Sequence, residues 1–192
     1  LASGRRLRIL DLPGAYSLQA TSPDEAITRA ICLGEFAEEV TPDVLVCVVD
    51  ATNLRLHLRF VLEVQALGRP MLLVLNMMDD AQRRGIQINS QKLSERLGIQ
   101  VIETAAVKRH GIDKLLASLD QQIPALPNPT LVAHHDIHQQ VRDLLAETVL
   151  MPTQTDQRDD VLDSVLLHPI WGLAILAVLM FFMFQAVFAW AA

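Results

Sequence analysis

Along residues 1–123, short apolar runs alternate with stretches whose apolar positions recur at helical spacing. Leu7 to Leu12, Val44 to Val49, Met71 to Leu75 and Ile99 to Ile102 read as strands. VLVCVV and MLLVL are continuously apolar, as expected of strands covered on both faces. Helices are predicted between them. One starts at Ser22-Pro23-Asp24-Glu25, with Ser as cap, Pro in the first turn and Glu closing a capping box. It runs to about Glu39, before the Thr41-Pro42 break. Others cover Leu54 to Leu67, closed by Gly68, then Ser90 to Leu97, ended by Gly98, and Gly111 to Ile123. This alternation predicts an α/β fold with a parallel sheet and flanking helices. Ligands bind such sheets beyond the carboxyl ends of the strands. Asp11, Asp50, Asn76 and the segment after Ile102 fall at those ends.

The pattern changes after residue 123. Pro124 to Pro129 (PALPNP) reads as a linker, because proline at this density cannot continue a helix. Helical spacing resumes from about His134 to Met151, with Ile137, Val141, Leu144, Leu145 and Val149 on one face. A second helix, about Gln157 to Leu167, is predicted to complete a short helical connector. Ile170 to Ala192 then carries a single polar side chain, Gln185. As a helix this run spans ~34 Å, enough for a hydrocarbon core of ~30 Å. Trp171 and Trp190 lie near its two ends, where indoles favour the membrane interface. Three regions are expected: a globular body over 1–123, a linker and connector over 124–167, and a transmembrane helix over 168–192.

Charge and cysteine content narrow the function. The net charge of −6 argues against general nucleic-acid binding, which needs a basic surface. Every Asp, Glu, Lys and Arg lies before Ser164, so an acidic body carries a charge-free tail. Cys32 and Cys47 form no CxxC or metal-ligand spacing and read as small core residues. The chain opens directly on a strand pattern, without a signal peptide.

Two short motifs carry candidate chemistry. Asp11-Leu12-Pro13-Gly14 has the form D-x-x-G after a strand. Such a carboxylate can hold Mg²⁺ through water, and the glycine N–H can approach a terminal phosphate. Asn76-Met77-Met78-Asp79 has the form N-x-x-D, again after a strand. An Asp there can accept hydrogen bonds from guanine N1–H and the exocyclic amine, whereas adenine offers no matching donors. Asn76 is placed to tether neighbouring loops. Either motif alone is a common turn. Their order, their separation of about 65 residues and the strand between them ending in Asp50 make the pair far more specific. After the next strand, small residues in Thr104–Lys108, among them Ala105, Ala106 and Val107, could bring backbone to the guanine oxygen.

On these residues the chain resembles the bacterial ferrous iron transport protein B family. The strings that carry the likeness are DLPGAYSL, SPDE, VVDATNL, LGRP, LNMMD and HGIDKL. Met77, where most GTPases have Lys, is a mark of that family. The resemblance implies a P-loop-type GTPase domain, GTP and Mg²⁺ as ligands, and Fe²⁺ as the transported substrate. It further implies a cytoplasmic globular part at the bacterial inner membrane, contacting lipid, the rest of a membrane domain and small accessory iron-transport proteins.

The sequence also departs from that pattern. No G-x-x-x-x-G-K-[ST] loop occurs in it. The strand bearing that loop would sit between the Leu7 and Val44 strands, so the chain reads as an internal fragment. It is expected not to bind GTP tightly alone, which calorimetry tests. Ala15 stands where Ras-like enzymes orient water with Gln, so any hydrolysis is expected to be slow. His134 and His138 share a helix face at i, i+4 and form a candidate Fe²⁺ site, against the plainer reading of a polar helix start. The rival functions are a membrane-anchored, degenerate G-domain that regulates without hydrolysing, and a soluble α/β enzyme with an apolar attachment tail.

Overall fold

A computed structural model describes residues 1–15, 17–18, 23–121, 134–150 and 164–190; side chains are described for all of these except 134–136 and 188–190. The Ser22 cap, the Pro124–Pro129 linker and most of the second connector helix lie outside the described residues. The chain divides into two compact units, Leu1–Met151 and Pro152–Ala192.

In the first unit, helix α1 (Pro23–Leu33) precedes strand β1 (Leu45–Asp50). There follow α2 (Leu54–Gln65), β2 (Met71–Asn76), α3 (Met78–Arg83), β3 (Gln87–Ile88) and α4 (Ser90–Leu97). The unit closes with β4 (Gln100–Glu103), α5 (Ile112–Asp120), α6 (His134–Thr148) and β5 (Val149–Leu150). β1, β2 and β4 form a parallel sheet in that order. The register pairs Asp50 with Asn76 and Leu75 with Glu103, so the three carboxyl ends lie level. The α/β reading therefore holds, and its punctuation holds best where it is local. α4 runs from Ser90 to Leu97, and Gly98 caps it in the left-handed conformation.

β2 is the centre of the sheet and is buried from Met71 to Leu75. Met71, Leu73 and Leu75 point into one core with Leu54, Leu58 and Val61 of α2 and Leu93 and Leu97 of α4. Cys32 and Cys47 are buried in the same core as free thiols. Burial pushes the Cys47 thiol up to about 12, with neighbouring Cys32 adding to the shift.

Four features differ from the pattern reading. Leu7 to Leu12 is irregular chain rather than a strand, and Ile9 is 85% exposed. Among the described residues nothing pairs with the outer edge of β1. On that strand Val46 and Val48 are exposed, while Leu72 and Val74, their register partners on β2, are buried. An apolar run becomes a strand only beside a partner that takes its N–H and C=O groups. α1 stops at Leu33 rather than Glu39, because Gly34 turns left-handed and the N–H of Glu35 reaches back to the Ala30 carbonyl. α3 and the antiparallel β3–β5 pair were unexpected. Finally, α6 does not stand apart from the globular body as a connector. Ile137, Val141 and Leu144 enter the same core, and Glu147 faces Lys92 and Arg96 of α4.

The second unit holds α7 (Trp171–Trp190). His168 caps it, its Nδ1 accepting from the N–H groups of Ile170 and Trp171 at 3.2 and 3.3 Å. Its described side chains, 171–187, cover ~26 Å of helix. Among the described residues no helix is both long and apolar enough to cross a membrane.

Candidate guanine-reading rim

The N-x-x-D motif sits where β2 gives way to α3. Met77 makes the junction in the left-handed conformation, φ 63°, and is 40% exposed. A non-glycine residue in that region is uncommon and marks a tightly shaped turn. It separates Asn76, at the strand end, from Asp79, in the first turn of α3. Met78 points into the core, and its N–H donates to the Thr104 carbonyl at 3.2 Å. Its side chain thus packs the fold rather than facing the rim. Asp80 is buried and pairs with Arg83 and Arg84, which fixes the first turn behind Asp79.

Asn76 ties this turn to the loop after β4. Its Oδ1 accepts from the Thr104 hydroxyl at 3.2 Å and from the Ala106 N–H at 3.1 Å. Thr104 itself is buried, and its N–H donates to the Leu75 carbonyl at 2.8 Å. Ala105 and His110 exchange both backbone hydrogen bonds, closing the loop at its base. Gly111 follows at φ 79°, so close to β4 that a Cβ would lie 2.0 Å from the Glu103 carbonyl oxygen. Only glycine fits there. The loop therefore presents Ala106, Val107 and Lys108 to solvent on a fixed base, with Val107 99% exposed. Because Ala106 N–H is already bonded to Asn76, it serves as part of the brace.

Asp79 is one-third exposed, and Lys108 Nζ donates to its Oδ2 at 2.9 Å. That hydrogen bond, with the ammonium's charge, holds the Asp79 carboxyl below its ordinary value, so it is a carboxylate at neutral pH. The sequence pattern includes Lys108 in the Thr104–Lys108 segment for its backbone and gives no role to its side chain. Its signal was one of two adjacent cations, Lys108 and Arg109, in the loop following the N-x-x-D partner strand, and which of them meets Asp79 is visible only once the two loops are juxtaposed.

Of the other predicted residues, Asp50 stands on the rim, but its Oδ1 accepts from the Thr52 N–H and hydroxyl at 2.7 and 2.8 Å. It caps the turn into α2. Asp11, Pro13 and Gly14 are exposed in irregular chain, and Leu12 rests against the core. The Pro13 carbonyl accepts from the buried Thr28 hydroxyl of α1 at 3.0 Å. Further along, buried Glu63 of α2 accepts from the Leu18 N–H at 2.6 Å and from Ser17 and Arg59 at 2.9 Å. Asp11 itself is an exposed carboxylate, suited to a hydrated cation rather than a closed cage. His138 is exposed, and the His134 side chain lies outside the described residues. Among the described residues no group of three or more His, Cys, Asp or Glu could hold a metal ion.

The family comparison decides what this rim belongs to. The sequence profile described as "Ferrous iron transport protein B" matches residues 1–119. The chain belongs to that family. A curated relative, the Fe(2+) transporter FeoB of Synechocystis, is 32% identical over 96% of this chain and 31% of its own length. The FeoB G-domain of Methanococcus jannaschii superposes with a TM-score of 0.54 at 40% identity, covering 58% of this chain and 68% of that one. A mutant of S. thermophilus NFeoB, solved bound to GDP, gives a TM-score of 0.51 at 36% identity over 56% of this chain and 40% of its own. The chain thus spans about a third of the curated FeoB proteins it matches.

Proposed function

We propose that this chain is the guanine-reading half of a G-domain, with its connector and first membrane helix, in a GTP-dependent Fe²⁺ transporter. The observation that carries this reading is the braced rim: Asp79 presented at the head of α3, Asn76 lashing it to the Thr104–Lys108 loop. A carboxylate so placed accepts two N–H donors from guanine and none from adenine. The GDP-bound family structure supports carrying that chemistry over. Asp11 would hold Mg²⁺ through water, and Gly14 would approach the γ-phosphate. Bound Mg²⁺ would supply charge neutralisation at the phosphates. Fe²⁺ would be cargo, moved through membrane helices beyond those described. α7 supports an anchoring role, because it is charge-free for its 20 residues. Retention in the membrane pellet after alkaline extraction is expected, and release would count against it.

The decisive experiment alters Asp79. In the full-length transporter, Asp79→Ala should weaken GDP binding about 100-fold, since two hydrogen bonds to a charged acceptor are lost. Asp79→Asn should shift preference toward xanthosine nucleotides, because the amide can donate to the 2-oxo group that replaces the guanine amine. Unchanged guanine preference in both variants would sink the reading. The alternative, a membrane-anchored, non-hydrolysing regulatory module, predicts GDP and GTP binding without turnover.

A further inference from the structure

Guanine offers a carboxylate two adjacent N–H donors, N1–H and the exocyclic amine, so both oxygens of Asp79 are needed to read it. Hypoxanthine lacks the amine and needs only one. Lys108 stands against one of those oxygens, Oδ2, at 2.9 Å. Its main chain cannot drift away. It ends the short 3-10 turn Ala106–Lys108, whose first N–H is bonded to Asn76 and whose exit is set by Arg109 at φ 54° and the Ala105–His110 pairing. The side chain is nonetheless 67% exposed, so the ammonium can swing into water when displaced.

The geometry points to Lys108 as a selectivity-setting residue that competes with the guanine amine for Asp79. This rests on the guanine reading of Asp79 proposed above. A one-donor base can leave the Oδ2 side to Lys108, whereas a two-donor base brings its amine to the same oxygen and competes with the ammonium for it. Lys108 therefore weakens guanine nucleotides more than hypoxanthine nucleotides and holds the preference for guanine below what Asp79 alone would give. Solvent-exposed ion pairs are weak, so the effect tunes affinity rather than blocking the site.

The test is equilibrium competition of GDP and inosine diphosphate on the full-length transporter, comparing wild type with Lys108→Gln and Lys108→Met. Removing the ammonium should raise GDP affinity about two- to fivefold, with little change for inosine diphosphate. The ratio of the two affinities should widen by the same factor. Raising salt should widen the wild-type ratio in the same direction, because it weakens the ion pair, and should leave the variants' ratio unmoved. Equal changes for both nucleotides would overturn the proposal, as they would mark a general charge effect. So would a fall in GDP affinity, which would make Lys108 a grip on the nucleotide. If wild type itself shows no preference for GDP over inosine diphosphate, the guanine reading of Asp79 fails, and this role falls with it.

Discussion

The N-x-x-D turn and the D-x-x-G segment are both short polar motifs following apolar runs, yet the fold treats them oppositely. β2 has a parallel neighbour on each side, and its end is cross-tied through Asn76, Thr104 and Lys108. Leu7–Leu12 has no sheet neighbour among the described residues, stays irregular and leaves Ile9 in solvent. Both runs read as strands from their apolar residues, although Leu7–Leu12 also holds Arg8 and Asp11. What separates them is whether partner strands are present to satisfy backbone groups and bury alternate side chains. The turn after β2 is therefore braced by contacts across the rim, whereas the segment after Leu7–Leu12 continues as irregular chain.

Substitutions should expose that contrast. The largest effect is expected from Leu73→Ala in β2, a fully buried residue at the centre of the core. Truncation there should cost about 2–5 kcal/mol, read as a lower denaturant midpoint of the whole globular unit. A cost near zero would mean that the sheet is not the stabilising centre. Gly111→Ala comes next, since the new Cβ would collide with the Glu103 carbonyl at a left-handed position. It should cost about 1–3 kcal/mol and speed amide exchange at Ala105 and His110, whose mutual bonds close the loop. Unchanged exchange there would show the base to be more pliable than its geometry implies. Smallest is Ile9→Ser in the irregular segment, expected within about 0.5 kcal/mol of wild type. A large loss would show that Ile9 is buried in the working protein and would erase the contrast.

What could be read from sequence was what short-range chemistry fixes. The apolar run of β2, the Gly98 stop of α4, the placement of both cysteines in the core, and the pairing of Asn76 with Asp79 all follow from a few adjacent residues. α3 escaped notice because MDDAQR is only six residues and carries no apolar periodicity. The two-residue strands β3 and β5 escaped because they exist only through each other, across some 60 residues of chain. α6 carried its apolar stripe plainly, but a stripe does not name the surface that covers it. That surface is α2 and α4.

By itself, then, the amino-acid order set the local preference of each stretch for helix or strand, and put Asn76 and Asp79 three residues apart just after an apolar run. Tertiary structure alone decided that β3 and β5 pair, that α6 joins the core, and that Lys108 meets Asp79. The physical reason is common to all three. Ladder hydrogen bonds, apolar burial and ion pairing each need a second group brought close by the rest of the chain, and no local pattern records which group arrives.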